Sequence, residues 1–198
     1  KYLQQHALTH VETEELRAAL EDVSGETLDR FFDQWVYHGG VPQLKVTYKW
    51  LPDDQLARIS IEQKQEVNDD VLLFAFKSKV KFKVGEEVFE RDVAIDERKH
   101  EFYFKLSEKP QIVRFDPDYA LLAEIDFEKS DGLVEAQLKD QDDVVGRLLA
   151  CAALAERETK DSVAALADAL QNDPFFGVRI EAATALEQIG TEEAYKAL

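Results

Sequence analysis

The chain has 198 residues, of which 45% are hydrophobic and 33% charged, and its formal net charge is −17 at pH 7. This length allows one large domain or two small ones, and the apolar content is too high for a disordered protein. The negative charge argues against nucleic acid and anionic membrane surfaces as partners, because both are bound through basic residues.

The chain carries one cysteine, Cys151, so no internal disulfide can form. Its neighbours in LLACAALA are small or apolar, which predicts a buried packing role rather than a reactive thiol. The sequence contains no run of about 18 apolar residues. The first ten residues, KYLQQHALTH, lack the pattern of a signal peptide. We therefore expect a cytoplasmic protein that does not enter a membrane.

The first region, up to about residue 42, is predicted to be helical. One helix surrounds Leu16 and ends at Ser24-Gly25, and a second begins near Thr27 and stops before Gly39-Gly40. The second helix carries a broad apolar stripe formed by Leu28, Phe31, Phe32, Trp35 and Val36. Because such a stripe is unfavourable in water, we expect it to contact a partner surface that lies largely outside this chain.

The second region, residues 43–127, shows the alternation of apolar and polar residues that is typical of strands. Its first strand alternates Leu44, Val46, Tyr48 and Trp50 with polar residues. Further strands are predicted in LARISIEQ, VLLFAFKSKVKFKV, EVFERDVAI, HEFYFKL and QIVRFDP. Many short strands without helical crossovers predict an antiparallel β-sandwich.

Four lysines alternate along one of these predicted strands, at Lys77, Lys79, Lys81 and Lys83. They could form a binding stripe, but a two-residue turn at Gly85-Glu86 would place acidic residues opposite two of them. In that register Lys79 faces Asp92 and Lys81 faces Glu90. Such cross-strand pairs contribute about 0.2–1 kcal/mol each. We therefore predict a charge-paired face exposed to solvent.

The third region, residues 130–198, is predicted to be helical and contains an internal repeat. LKDQDDVVGRLLACAAL (138–154) aligns without gaps on LQNDPFFGVRIEAATAL (170–186). Arg147 matches Arg179, and Leu154 matches Leu186. A fixed period of this length is typical of a helical solenoid, and the units resemble short HEAT repeats. TEEAYKAL resembles the start of a third unit, so we expect the array to continue.

The sequence HALTH places His6 and His10 four positions apart, which on a helix is the ligand spacing of the zinc motif His-Glu-x-x-His. Asp29 follows His10 at the separation where some zinc peptidases carry a third, glutamate ligand. However, Ala7 stands where a glutamate must take a proton from the zinc-bound water. We therefore interpret the histidine pair as adventitious or structural.

No other pattern in the sequence predicts a reaction site. His38 lies at a predicted helix end, and His100 alternates with phenylalanines along a predicted strand. The acidic cluster Asp140, Asp142 and Asp143 does not have the spacing of a calcium loop and is typical of solvated helix N-termini. We accordingly predict no catalytic, cofactor-binding or metal-binding residue in this chain.

Residues 2–46 resemble the end of the catalytic domain of M1-family zinc aminopeptidases. The shared features are Tyr2-Leu3, ETEELRAALEDVSG, the pair Phe31-Phe32 followed by Trp35, and Gly40-Val41-Pro42 before the first strand. The order of sheets and then helical repeats is similar to that family's later domains. The resemblance implies three truncated or complete domains: the end of the catalytic domain (1–42), a β-sandwich (43–128) and HEAT-like repeats (129–198). The implied fold class is α+β multidomain.

The resemblance implies a parent enzyme that removes N-terminal residues from peptides with one zinc ion. The family's zinc ligands and catalytic residues would all precede this segment, so no zinc is expected in this chain. Its partners would be the upstream catalytic domain and, for the parent, peptide substrates. An alternative remains open: related proteins that have lost the zinc serve as scaffold subunits, for example in the general transcription machinery.

Overall fold

The computed structural model describes residues 2–198, in which a short helical segment precedes two β-sheets and a helical C-terminal region. The first segment contains α1 (Tyr2–Gln5), α2 (Thr13–Ser24), α3 (Asp29–Phe32) and a π-helical turn (Asp33–Tyr37). The strands are β1 (Gln43–Leu51), β2 (Leu56–Gln63), β3 (Phe76–Val84), β4 (Glu87–Ile95), β5 (Lys99–Lys105), β6 (Ile112–Phe115) and β7 (Glu124–Glu128). The final helices are α4 (Asp131–Leu138), α5 (Val144–Ala155), α6 (Lys160–Asn172), α7 (Phe176–Ile189) and α8 (Glu192–Ala197). The predicted α+β fold class is confirmed.

The seven strands form two sheets that share one hydrophobic core, and we call residues 43–128 the two-sheet unit. One sheet has the order β5-β2-β1-β7 and the other β4-β3-β6. Alternation explains the packing: Ala57, Ile59 and Ile61 of β2 are fully buried, whereas the residues between them are partly exposed. The rings of Phe82 and Phe104, one from each sheet, lie 5.2 Å apart between their centroids.

The pairing of β1 with β7 departs from the predicted antiparallel arrangement. The two strands run parallel, with Leu44 opposite Ile125 and Val46 opposite Phe127. No separate strand was expected at β7, which has only five residues. The other strand pairs are antiparallel.

The helical unit, residues 131–198, repeats as the sequence predicted. Helix α5 begins at Val144 and α7 at Phe176, whereas α6 begins at Lys160 and α8 at Glu192, so the two pairs share one offset. Small residues allow close packing, since Ala150, Cys151 and Ala182 are almost fully buried in one core. None of the helices in residues 2–198 is long and apolar enough to cross a membrane.

Helix α4 connects the two cores. Leu133 belongs to the core of the two-sheet unit, whereas Val134 and Leu138 belong to the core of the helical unit. The predicted domain limits at residues 42 and 128 stay predictions.

The N-terminal segment is attached to the two-sheet unit through a buried glutamine. The Gln34 amide donates to the Ala75 carbonyl oxygen (2.6 Å) and accepts from the Ala75 N–H (2.8 Å), as a neighbouring strand would. The Trp35 ring packs on Phe74 with centroids 4.9 Å apart. The predicted apolar stripe is therefore divided, since Phe32 and Trp35 face the protein while Phe31 stays 50% exposed.

We expect Gln34→Ala to destabilise this attachment. The substitution leaves both backbone groups of Ala75 without their partner, at a cost of about 1–3 kcal/mol. Urea unfolding measures the loss, and hydrogen exchange should become faster in residues 29–37 and 72–76. Gln188→Ala, at an exposed position of α7, is the matched control and should change stability little. Equal effects of the two substitutions would contradict the assignment.

Candidate functional site

The histidine pair of HALTH does not form a metal site. Helix α1 ends at Gln5, and Leu8 adopts a positive φ of 61°. His6 and His10 therefore do not share a helix face, in contrast to the spacing-based prediction. The chain turns here because the Thr9 N–H and hydroxyl both donate to the His6 carbonyl oxygen. Asp29 instead pairs with Arg17. Within residues 2–198, no group of three His, Cys, Asp or Glu side chains could hold a metal ion.

The remaining candidate residues have structural environments. Cys151 is fully buried, as predicted, and burial raises the pKa of its thiol to about 12. The His38 ring contacts the Asp33 carbonyl oxygen at 2.9 Å, at the end of the π-helical turn. His100 lies on β5, where its Nε2 accepts hydrogen bonds from the Asp96 and Glu97 N–H groups.

The joint between the two-sheet unit and the helical unit is the most distinctive polar feature of the described chain. Its centre is the ion pair of Arg114 on β6 with Asp143, whose Nη1 and Oδ2 atoms lie 2.6 Å apart. Both side chains are more than nine-tenths buried. Asp143 also caps the N-terminus of α5, because its Oδ1 accepts a hydrogen bond of 2.7 Å from the Gly146 N–H. One carboxylate thus fixes the first turn of a helix and holds it against a strand.

Two lysines of β3 strengthen this joint, which corrects the prediction of a solvent-exposed lysine face. The predicted strand register is confirmed, with Lys81 opposite Glu90. However, the Lys83 Nζ lies 2.9 Å from Asp140, and the Lys81 Nζ lies 3.9 Å from Asp143. The bond to Asp140 raises the pKa of Lys83. Register alone could not reveal these partners, since they belong to the helical unit.

Gly146 allows the joint to close. A Cβ atom at this position would lie 2.7 Å from Asp143 Oδ2 and still closer to Arg114 Nη1. The Gly146 carbonyl oxygen accepts a hydrogen bond of 2.6 Å from the buried Gln137 amide of α4. Strand β6, helices α4 and α5 and the buried ion pair therefore meet at Gly146, which has no side chain.

A second buried ion pair connects the repeats. The Arg147 guanidinium donates from Nε to Asp173 Oδ2 (2.7 Å) and from Nη2 to Asp173 Oδ1 (3.2 Å). Its Nη1 donates to the Asp140 carbonyl oxygen at 2.8 Å. The matching residue of the next repeat, Arg179, donates to the Asp173 carbonyl oxygen. The repeated arginine thus fixes the turn that precedes each repeat helix.

A cleft of about 860 Å³ opens beside the joint, between the two units. The two-sheet unit contributes residues of β1, β6 and β7, and the helical unit contributes residues of α4 and α5. Its apolar wall includes Leu121, Ala123, Ile125, Phe127, Leu149 and Ala153. Arg114 also lines the cleft, and its Nη2 is buried without a hydrogen-bond partner.

Lys129 lies in the same cleft. Its ammonium group is 4.4 Å from the centroid of the Phe127 ring and donates a hydrogen bond to Gln137 Oε1. Burial, with a smaller contribution from the Arg114 charge, lowers the pKa of Lys129 to about 7. No carboxylate in the described part of the chain forms an ion pair with it.

The sequence patterns do not predict this site. The acidic cluster at residues 140–143 predicts a solvated helix end, whereas Asp140 and Asp143 are buried. One signal was present: Asp143 is followed, within the first turn, by a glycine in a helix otherwise suited to alanine, which is typical of a close contact. Nothing in the sequence indicates that Arg114, far earlier in the chain, is that contact.

Comparisons with known proteins agree with this architecture. A family model described as HEAT repeats matches residues 130–198. Transcription initiation factor TFIID subunit 2 of Danio rerio is 37% identical over 78 residues, which is 39% of this chain and 6% of that protein. The crystal structure of Legionella pneumophila aminopeptidase A in complex with aspartic acid is similar at a TM-score of 0.71 and 16% identity. The likeness to that structure covers 99% of this chain and 25% of that chain, and it shows the fold.

We expect Gly146→Ala to destabilise the protein by about 2–4 kcal/mol, because the added methyl group must displace Arg114 or Asp143 from their ion pair. Gly132→Ala is the matched control, since Gly132 also lies in a helix and a Cβ there meets nothing within 4 Å. That substitution should stabilise by up to about 1 kcal/mol. Urea unfolding followed by circular dichroism measures both, and changes of the same sign would contradict a closely packed joint.

We also expect Lys129→Met to stabilise the protein in a pH-dependent manner. Between pH 7 and its usual pKa of 10.5, the unfolded chain holds a proton on Lys129 that the folded chain has largely lost. The unfolding free energy of the wild type therefore rises with pH in this window. The advantage of the variant should be on the order of 1–3 kcal/mol at pH 7 and shrink toward pH 10.

Urea unfolding at pH 7, 8.5 and 10 tests this expectation. Lys77→Met, at an exposed lysine of β3, is the control and should show no such trend. A difference between Lys129→Met and the wild type that stays constant with pH would show that Lys129 does not titrate near neutrality.

Proposed function

We propose that this chain is the non-catalytic C-terminal part of an M1-type zinc aminopeptidase, an enzyme that removes N-terminal residues from peptides. The observation that supports this most directly is the fold likeness to an aminopeptidase over 99% of the chain. It extends through the helical segment, the two sheets and the repeats in one arrangement. This chain spans about a quarter of the length of that aminopeptidase, so the catalytic part would be a separate portion of the parent.

The proposed role of the two-sheet unit is to brace the helical repeats. A brace must resist rotation, and two attachments support this role: the Arg114–Asp143 ion pair and α4, whose side chains enter both cores. Buried charge pairs hold a fixed geometry because displacement leaves each charge without a partner. Repeats held in this way could curve over a neighbouring catalytic domain and limit which peptides enter.

The N-terminal segment is the proposed contact with the catalytic domain. Leu16, Leu20 and Val23 occupy one face of α2 and are 39%, 43% and 74% exposed. Phe31 and Val36 add further exposed apolar surface. A catalytic domain that packs on this surface would bury it, which agrees with the resemblance of residues 2–46 to the end of that domain.

The described residues do not fit a zinc ion. His6, His10 and Asp29 are not arranged as ligands, and Asp29 is held by Arg17. The zinc of the proposed parent would therefore be bound by residues outside this chain. We expect this chain alone to bind no stoichiometric zinc and to cleave no aminoacyl substrate. Tight one-to-one zinc binding that is lost in His6→Ala would contradict this expectation.

The second candidate function is a scaffold subunit without catalysis. It is favoured by the 37% identity to TFIID subunit 2, a transcription initiation factor, over 78 residues. A helical repeat array with a net charge of −17 would suit protein–protein assembly. The bracing role proposed for the two-sheet unit is the same in both candidates.

Native mass spectrometry of the protein as its own cells produce it distinguishes the candidates. We expect a chain several times longer than 198 residues that carries one zinc ion and hydrolyses aminoacyl substrates. A long chain without zinc or peptidase activity would replace the enzyme with the scaffold. A natural protein of only this length would overturn both.

A further inference from the structure

The cleft beside the joint is lined by side chains whose hydrogen-bond donors are not all paired with acceptors of the protein. Arg114 lines the cleft, and its Nη2 is shielded from solvent and has no acceptor. A buried donor without a partner costs about 1–3 kcal/mol, so an acceptor in the cleft that reached Nη2 after a shift of the guanidinium would recover part of that free energy. Lys129 adds a second cation there, with Gln137 as its hydrogen-bond acceptor.

Both carboxylates and cations line the cleft. Four carboxylates belong to the lining, and three of them, Glu124, Asp126 and Glu156, are exposed to solvent. The fourth, Asp116, is buried and already accepts from the N–H groups of Ala120 and Leu121. Four cations line the cleft as well, and three of them, Lys45, Lys64 and Arg114, pair with carboxylates. Lys129 is therefore the lining cation without a carboxylate partner among the described residues.

The rest of the cleft is suited to an apolar body. Side chains of β7, the segment before it and α5 form the apolar wall, and a volume of about 860 Å³ is within the range of small-molecule sites. A ligand with several negative charges would be repelled by the three exposed carboxylates, whereas Lys45 and Lys64 are already paired with Glu128 and Glu62. A single carboxylate provides two acceptor oxygens for the two cations at a smaller electrostatic cost.

We propose that this cleft binds a monocarboxylate with an apolar body, whose carboxylate contacts Lys129 and Arg114. Its source is either a free acid of the size of an acylated amino acid or the C-terminal residue of a short peptide. The apolar body lies against Leu121, Ile125 and Leu149. The inference does not rest on the proposed function, since the cleft is formed entirely within this chain.

Binding should depend on pH through Lys129. The charged groups that act on its ammonium group are Arg114 from β6, Asp143 at the start of α5 and Arg157 beyond α5. With a pKa of about 7, Lys129 is about nine-tenths protonated at pH 6 and about one-tenth at pH 8. Affinity for a carboxylate should therefore fall about tenfold between these two pH values.

Isothermal titration calorimetry of the full chain tests the proposal with N-acetyl-leucine and its uncharged counterpart N-acetyl-leucinamide. We expect the acid to bind with a Kd in the millimolar range or below at pH 6 and the amide to bind at least about tenfold more weakly. Lys129→Gln should weaken binding of the acid by about tenfold or more. Lys77→Gln, at an exposed lysine outside the cleft, should leave it unchanged.

A second arm distinguishes the two sources. Tri-alanyl-leucine with a free C-terminus should bind more tightly than N-acetyl-leucine if peptides are the natural ligands, and more weakly if small acids are. Backbone amide shifts of Gly146 and Ala123 in NMR spectra locate either probe. Thermal melts establish that both lysine variants are folded.

Several outcomes would overturn the proposal. They are equal binding of acid and amide, no binding of either probe, wild-type affinity in Lys129→Gln, and amide shifts confined to surfaces outside the cleft. Inorganic phosphate that binds more tightly than N-acetyl-leucine would also overturn the assignment of a carboxylate. If neither probe binds, a water molecule trapped beside Arg114 would be enough to satisfy its Nη2 hydrogen-bond donor.

Discussion

The buried ion pair between Arg114 and Asp143 is the interaction on which the arrangement of this protein depends. It joins a strand of one unit to the first turn of a helix in the other. Removing two charges from water costs several kcal/mol per ion, so such a pair persists only where geometry and additional hydrogen bonds compensate. Here the compensation comes from the Gly146 N–H, from Lys81 and from the absence of a side chain at Gly146.

The charges of the joint are divided by sign between the two units. The two-sheet unit supplies the cations of the joint, namely Lys81, Lys83 and Arg114, and the helical unit supplies the carboxylates of Asp140 and Asp143. Opposite charges on two surfaces fix their register as well as their contact, because a displaced surface would bring unpaired charges together. The cleft is bounded by both units, so its shape depends on this register.

The proposed role, a part of a larger protein that holds other parts in position, requires surfaces for further contacts. The exposed apolar face of α2 and the repeat array are both surfaces suited to further contacts. An enzyme and a scaffold would use the same brace, which is why the fold likeness to an aminopeptidase and the sequence likeness to a transcription factor subunit do not conflict. The cleft adds a proposed ligand site to either candidate.

The sequence by itself determined the order of the helical segment, the sheet region and the repeats. Alternation placed β2 and β4 at their observed limits, and the offset between the aligned segments gave the spacing of the repeat helices. These features arise from local periodicity, which each segment carries in its own residues. The burial of Cys151 could be predicted for the same reason, from its small and apolar neighbours.

The tertiary structure alone decided the rest. It showed that HALTH turns instead of continuing a helix, that β7 pairs in parallel with β1, and that Lys81 and Lys83 face the helical unit. Arg114 and Asp143 are distant in sequence and carry no pattern that associates them. Contacts between distant segments depend on how whole units pack, and that packing places both the joint and the cleft.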